Sequence, residues 1–378
     1  MDDLRMKRKG SLLIMLHCEQ FTGYAIGVLE DIFFEAAQRS GYKESEIFWS
    51  YKSVADNDAE NVIPCDYRLF DARFFAKFLH DKNITQVIAF DLNYPSDVLD
   101  VLRRANVDHI VSYWGAGISS INSGVKLQLK RLEWTLRKNK PDCFIFESEA
   151  MRKTGTLGRG IPHDKAFVVP LGVDVEKYKP DYGNNYDAHD LLGIPRSRKI
   201  VFYSGHMEER KGVRVIVQAA IETVDKMNNK GLHFVLCGNK GDEASGYEKL
   251  LENTEAVGHV VFAGYRKDIA RLMRSSFVGV IASTGWDSFT MSSVEMMASG
   301  LPLIVSNLQG LAETALDGVT GFHIEPGNYR ELAEKISYLY SSPDKATEFS
   351  NASRLRAVNF FSKERQINEI AKILSAGK

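Results

Sequence analysis

Residues 286–327, WDSFTMSSVEMMASGLPLIVSNLQGLAETALDGVTGFHIEPG, constrain what the chain can fold into more tightly than any other stretch. An apolar run at 277–282 leads into a turn rich in Ser, Thr and Gly, which Asp287 and Ser288 close. Thr290 or Ser288 can then cap a helix through 291–299, and Gly300 and Pro302 stop it. Leu303, Ile304 and Val305 supply the next short buried strand. Strand, turn, helix and strand in so little chain make one unit of a parallel sheet. The unpaired N–H groups at such a helix start point to the sheet's carboxyl edge, where phosphates bind. Two carboxylates there would repel a phosphate, so Asp287, before the helix, and Glu295, a turn inside it, suit hydroxyls instead. Taken alone, the pair reads more simply as an acid complementing the helix dipole beside a solvated glutamate.

A chain of 378 residues with 44% apolar content has room for two such domains, each with a full core. Its formal net charge of −1 excludes the basic excess of a nucleic-acid binder. The four cysteines, Cys18, Cys65, Cys143 and Cys237, show no paired spacing, which fits buried thiols in a reducing cytosol. Lys7, Arg8 and Lys9 before an apolar run at 12–16 imitate the opening of a signal peptide, but the run is too short and His17-Cys18 is wrong for cleavage. No run approaches the roughly 20 apolar residues of a membrane span, so a cytoplasmic protein is expected.

Read in order, 12–16 is a first buried strand, followed by the loop HCEQFTGYAIG with His17, Gly23 and Gly27, and then by a helix at 25–40. Strands at 87–90 and 109–113 flank a helix at 96–105, an alternation that indicates a parallel sheet with helices on its faces. The triplet Asp56-Asn57-Asp58 has the composition of a metal site, but it lies in a polar stretch with no strand leading in and reads as a solvated loop. Residues 126–140, KLQLKRLEWTLRKNK, form a basic amphipathic helix with Leu129, Leu132 and Leu136 on one face. A surface helix whose apolar face packs on the sheet is the preferred reading, and peripheral contact with an anionic membrane is the other. Strands at 143–147 and 167–170 precede the best linker in the chain, rich in Gly, Pro, Asn and Asp. Beyond it the alternation restarts: strands at 200–203, 233–237 and 260–262, with helices at 213–228 and 247–253. The expected division is 1–175 as an N-terminal Rossmann-like domain, 176–198 as linker, 199–358 as a C-terminal Rossmann-like domain, and 359–378 as a helix packing back on the first domain.

The order of elements, with PLGVD at 170–174, SGHMEERKG at 204–212, FAGYRKDIARLM at 262–273, DSFTMSSVEMMASGLPLIVS at 287–306 and the following GVTGFHIEPGN, resembles the retaining glycosyltransferases of family 4. The resemblance runs from about 141 to 327 and implies the GT-B fold, two doubly wound Rossmann-like domains facing across a cleft. It implies a hexosyltransferase using a nucleoside diphosphate sugar, UDP- or GDP-linked, with a glycan or lipid-linked acceptor, as in surface polysaccharide or glycolipid synthesis. The family's paired glutamates, separated by seven residues, match Asp287 and Glu295; by analogy Asp287 meets the transferred sugar and Glu295 the ribose hydroxyls. Ser288 adjoins the sugar, and the backbone of Phe289, Thr290 and Met291 lies against the diphosphate. Lys211 neutralises the leaving diphosphate, Tyr265 and Arg266 fall where the family holds the base, and the Gly23 loop closes over the donor. Because cations and helix N–H groups meet the developing charge, no metal or other cofactor is expected.

The chain also departs from the family pattern. His206 replaces an arginine in the phosphate segment, for which Arg210 is the expected substitute, and a glutamate is shortened to Asp287. Thr290 stands for a glycine, and the first-domain segment YWGAGIS at 113–119 has no histidine where the family carries one; His109 reads as structural and His17 as the alternative. These departures keep two other readings open, a catalytically silent GT-B partner protein that binds sugar and a nucleotide-sugar epimerase. A phosphorylase of the same architecture would need a pyridoxal-type lysine site, and no signature of one is present.

Overall fold

The computed structural model describes residues 10–21, 23–55, 60–181, 183 and 185–377. Lys7, Arg8 and Lys9 and the Asp56-Asn57-Asp58 triplet lie outside the described residues. The chain divides into two compact units, residues 1–170 with 364–378, and residues 171–363.

In the first unit the strands are β1 (Ser11–Glu19), β2 (Ile47–Ser53), β3 (Val62–Pro64), β4 (Ile84–Phe90), β5 (His109–Trp114), β6 (Cys143–Phe146) and β7 (Ala166–Val168). Between them run the helices α1 (Gly23–Arg39), α2 (Ala72–Asp81), α3 (Asp97–Arg104), α4 (Gly124–Leu136) and α5 (Glu149–Thr156). All neighbouring strands are parallel, in the order β3-β2-β1-β4-β5-β6-β7. Alternate residues of β1 feed opposite cores: Leu13 and Met15 pack with Phe75, Val98 and Phe144, while Leu12, Ile14 and Leu16 pack with Phe33 of α1. A strand buried on both faces reads as a continuous apolar run, which is why this one is visible in the sequence.

The helix expected at 126–140 is shorter and differently turned. α4 ends at Leu136 because Arg137 adopts extended backbone, and its leucines do not pack on the sheet: Leu129, Leu132 and Leu136 are 59%, 53% and 72% exposed. Only Trp134 of this helix is buried, against Tyr94 and Phe144, with Lys140 over its ring. One large aromatic anchors the helix, so the leucine stripe is left facing solvent.

The second unit contains β8 (Lys199–Ser204), β9 (Leu232–Cys237), β10 (Val260–Phe262), β11 (Val278–Ile281), β12 (Leu303–Ser306) and β13 (Gly321–Ile324). Its helices are α6 (Asp187–Leu192), α7 (Val213–Ile221), α8 (Ser245–Glu248), α9 (Ile269–Arg274), α10 (Met291–Ala298), α11 (Tyr329–Ser341) and α12 (Pro343–Phe360). The sheet is again parallel, in the order β10-β9-β8-β11-β12-β13. Residues 171–198 belong to this unit: Val173 pairs with Ser362, and Tyr178, Ala188 and Ile194 are buried in its core. α7 is shorter than the helix expected at 213–228, passing at Glu222 into one π-helical turn, and α8 covers only part of 247–253 before a 3-10 turn, Lys249–Leu251.

The last helix, α13 (Lys363–Ser375), buries Ile367, Ile370 and Leu374 in the core of the first unit. Arg39 forks onto Glu364, and Gln86 donates to the Leu374 carbonyl. All four cysteines are free thiols; Cys65, Cys143 and Cys237 are buried, and burial raises each of those thiol pKa values to about 12. Among the described residues no helix is long and apolar enough to cross a membrane.

Candidate functional site

In an open parallel sheet, ligands bind outside the carboxyl ends of the strands where the strand order reverses. In the second sheet that point lies between β8, from which the chain winds outward to β9 and β10, and β11, which returns on its other side. After β8 the chain makes a 3-10 turn, Glu209–Lys211, and enters α7 through Gly212 at φ +74°. A Cβ on Gly212 would lie 1.7 Å from the Ala282 carbonyl oxygen at the end of β11. Only glycine lets these two segments approach so closely. The Thr284 N–H donates to the Arg210 carbonyl at 2.8 Å and ties the loops together.

This contact brings Lys211 to Asp287. Lys211 Nζ stands 2.9 Å from Oδ1 and 3.0 Å from Oδ2, and the Ser283 hydroxyl donates to Oδ2 at 2.6 Å. The lysine side chain is 15% exposed and the aspartate 4%. A pair this secluded survives because each charge answers the other; removing one partner typically costs about 3–5 kcal/mol. Ser283 was not marked out by the sequence, since a serine in a polar turn carries no pattern of its own.

Asp287 leads into α10, whose N-cap position is Thr290. The Thr290 hydroxyl does not cap the helix: it donates to Ser293 Oγ at 2.9 Å, and Ser293 Oγ donates back to the Thr290 carbonyl at 2.7 Å. Phe289 is buried edge-on against Phe361, 5.1 Å between centroids, and fixes the approach to the helix, while Ser288 and Met291 are half-buried. Glu295 is buried on the second turn. The solvated glutamate of the simpler reading is therefore excluded.

The other expected residues are placed as follows. His206 is exposed beyond the end of β8, and its carbonyl accepts the Tyr203 hydroxyl at 2.7 Å. Arg210 is exposed, with Nε 2.7 Å from Glu208 and Nη1 donating to the Trp286 carbonyl at 3.2 Å. Past β10, Tyr265 is 56% exposed beneath Lys240, and Arg266 is committed to a fork on Asp268 at 2.8 and 2.6 Å. Gly23 opens α1 in the first unit at φ +67° with open space around it. The structure thus joins Lys211, Asp287 and Ser283 directly and sets Arg210 on the backbone beside them. Among the described residues no three His, Cys, Asp or Glu side chains are grouped so as to hold a metal ion.

The first unit holds an acidic group that no motif announced. Tyr113, fully buried at the end of β5, donates to Glu147 Oε1 at 3.1 Å and receives Gln366 Nε2 at 3.0 Å. Burial pushes the Glu147 carboxyl up to about 8, against the pull of the tyrosine bond, with nearby Asp91 adding to the rise. Burial likewise raises Asp91 to about 6, opposed by the Gly115 N–H at 3.1 Å. The signal in the sequence is a glutamate directly after the apolar run CFIF. His109, by contrast, sits at the start of β5 against Gln86 at 2.7 Å, and burial lowers its pKa.

With this geometry in hand, residues 187–356 match the family model of the glycosyl transferases group 1. Spore coat protein SA of Bacillus subtilis (strain 168) is 30% identical over 55% of this chain and 58% of its own length. The chain therefore spans less than two thirds of that relative. A glycosyltransferase of Rickettsia africae superposes with a TM-score of 0.79 at 18% identity, covering 97% of this chain and 98% of that one. Anabaena HepE in complex with UDP-glucose superposes with a TM-score of 0.73 at 18% identity, covering 97% and 99%. Both likenesses speak for the fold. The chain has the GT-B fold, and within it residues 187–356 are similar to the glycosyl transferases group 1.

Proposed function

We propose that the protein is a retaining glycosyltransferase that moves a hexosyl group from a nucleoside diphosphate sugar to a glycan or lipid-linked acceptor. The observation that carries this reading is a secluded lysine, Lys211, held by Asp287 at the switch point of the second sheet, beside the start of α10. Breaking the bond from the sugar carbon to the diphosphate oxygen leaves the electron pair, and the negative charge, on the diphosphate. Lys211, Arg210 and the backbone N–H groups of 289–291 meet that charge without reorganising. Asp287 serves the sugar and shares Lys211 with the diphosphate; Glu295 serves the ribose, and Tyr265 stands where a base would lie. The match to group 1 glycosyl transferases and the UDP-glucose named for HepE support a UDP-sugar first, with GDP-sugars second. We infer no metal requirement, and a loss of activity in chelator restored by magnesium or manganese would overturn that.

The direct test is thermal unfolding with UDP-, GDP-, ADP- and dTDP-sugars, since a ligand that binds only the folded state raises its melting temperature. At least one should do so in the wild type and fail to do so in Lys211→Ala; no response to any nucleotide sugar would refute the reading. One observation favours the silent alternative: both Asp287 oxygens are already engaged. Turnover of the donor decides between them.

Peripheral contact with an anionic membrane through α4 belongs to the same proposal. Its stripe of Leu129, Leu132 and Leu136 is exposed, and no ion pair engages Lys126, Arg131 or Lys138 among the described residues. Each basic residue near an anionic surface contributes about 1 kcal/mol. The protein is expected to co-sediment with phosphatidylglycerol vesicles, less with phosphatidylcholine, and less again after Leu129→Glu. Indifference to lipid charge would count against the contact.

A further inference from the structure

A pocket of about 480 Å³ opens at the amino-terminal ends of β5, β6 and β7. This is the edge opposite the one where an open parallel sheet holds its reacting ligands. His109, Cys143 and Phe167 line it from the strands, Lys165 from the segment leading into β7, and Lys372 and Ile373 from the last turns of α13. All of them belong to the first unit. The volume lies within the range of about 300–1,000 Å³ found for small-molecule sites.

One part of the lining is apolar. Phe167 is 40% exposed, and Ile373 is only partly buried against the core. Burial raises the Cys143 thiol to about 12, so it stays protonated and offers apolar surface rather than a nucleophile.

The other part is made of donors. Gln86 Nε2 donates to the Leu374 carbonyl at 2.8 Å, and a carbonyl only accepts, which fixes that atom as the amide nitrogen. The same nitrogen stands 2.7 Å from His109 Nδ1, so Nδ1 accepts and the ring carries its proton on Nε2. Burial lowers the His109 pKa and keeps the ring neutral against the pull of Asp142, with the Arg103 and Lys165 charges adding to the lowering. Its Nε2–H has no hydrogen-bond partner among the described residues, and the ammonium groups of Lys165 and Lys372 make no ion pair there. Of the two acids on the lining, Asp142 is held by Arg103 at 2.8 Å and by the Ile110 N–H at 2.7 Å, which leaves Asp164 uncommitted. Two ammonium groups against one uncommitted carboxylate give the pocket an excess of one positive charge.

We propose that this pocket binds an amphipathic monoanion, a carboxylate carried on an apolar body, with Lys165, Lys372 and the His109 N–H meeting the carboxylate and Phe167 and Ile373 covering the body behind it. The proposal stands without the glycosyltransferase reading, and a failure of either leaves the other untouched.

The experiment is NMR of the full chain with nitrogen-labelled histidine, titrated in turn with octanoate, octanol, octylamine and inorganic phosphate. Loss of one signal in His109→Gln identifies the ring. Octanoate is expected to shift that signal to saturation and to bind about tenfold more tightly than octanol, the order a charged hydrogen-bond partner contributes. Octylamine has the wrong charge and phosphate has no apolar body, so neither should saturate the signal. Lys165→Ala/Lys372→Ala changes two exposed side chains; it should keep the melting temperature and weaken octanoate about tenfold. Phe167→Ser should weaken octanoate and octanol alike. No saturable shift with octanoate, equal affinity for octanoate and octanol, or wild-type octanoate affinity in the double variant overturns the proposal.

Discussion

Replacing Glu147 with glutamine isolates one electrostatic consequence of the fold that falls in an accessible pH range. In the native state burial lifts this carboxyl to about 8, while in the unfolded chain it returns to the ordinary value near 4.5. Between those two pH values the native state holds a proton that the unfolded state has released. Stability therefore falls as pH rises, by about 1.4 kcal/mol per pH unit, on the order of 4–5 kcal/mol across the window, and levels off above pH 8. Glutamine preserves the shape and still accepts the Tyr113 hydroxyl, yet cannot ionise. Urea unfolding of both proteins at intervals from pH 5 to 8.5 should give curves that coincide near pH 5 and diverge steadily, with Glu147→Gln the more stable at pH 8. Asp91, raised to about 6 by burial, gives both proteins a shared slope at lower pH, so the difference belongs to Glu147. A wild type whose stability does not fall relative to the variant would refute the reasoning.

Three further outcomes follow from the second unit. Lys211→Ala strands the buried Asp287 with only Ser283, and is expected to cost about 3 kcal/mol in urea unfolding, partly restored in Lys211→Ala/Asp287→Ala. Gly212→Ala drives a Cβ to 1.7 Å from the Ala282 carbonyl at a positive φ, so it should destabilise by well over about 1 kcal/mol and abolish any nucleotide-sugar melting shift. If Arg210 substitutes for the arginine that His206 replaces, Arg210→Ala weakens nucleotide-sugar affinity several-fold in calorimetry, and unchanged affinity refutes the substitution.

What the sequence discloses follows from how each element is buried. β1, β8 and β11 are covered on both faces and read as apolar runs, and Gly212 and Pro302 punctuate their neighbours. β2, IFWSYKS, and the three-residue β3 are harder to see, because polar residues interrupt the first and the second is too short for a period. The orientation of α4 was not legible: its leucine spacing is that of a core helix, and only the packing of Trp134 shows that the stripe faces out. At the site, Asp287 and Glu295 stood out as two carboxylates around a helix start, while Lys211 and the roles of all three came from the family resemblance. Glu147 was not legible, since its bond to Tyr113 depends on two strands distant in sequence ending side by side, and Ser283 was not, since a serine in the polar turn before Asp287 carries no pattern of its own.

The central claim is that Lys211, Asp287 and Glu295 form a working donor site, and release of nucleoside diphosphate from a stabilising nucleotide sugar measures it most directly. Even without an acceptor, slow hydrolysis is predicted in the wild type, with Glu295→Ala and Lys211→Ala losing it. No turnover by the wild type, or turnover that Glu295→Ala leaves unchanged, would contradict the account.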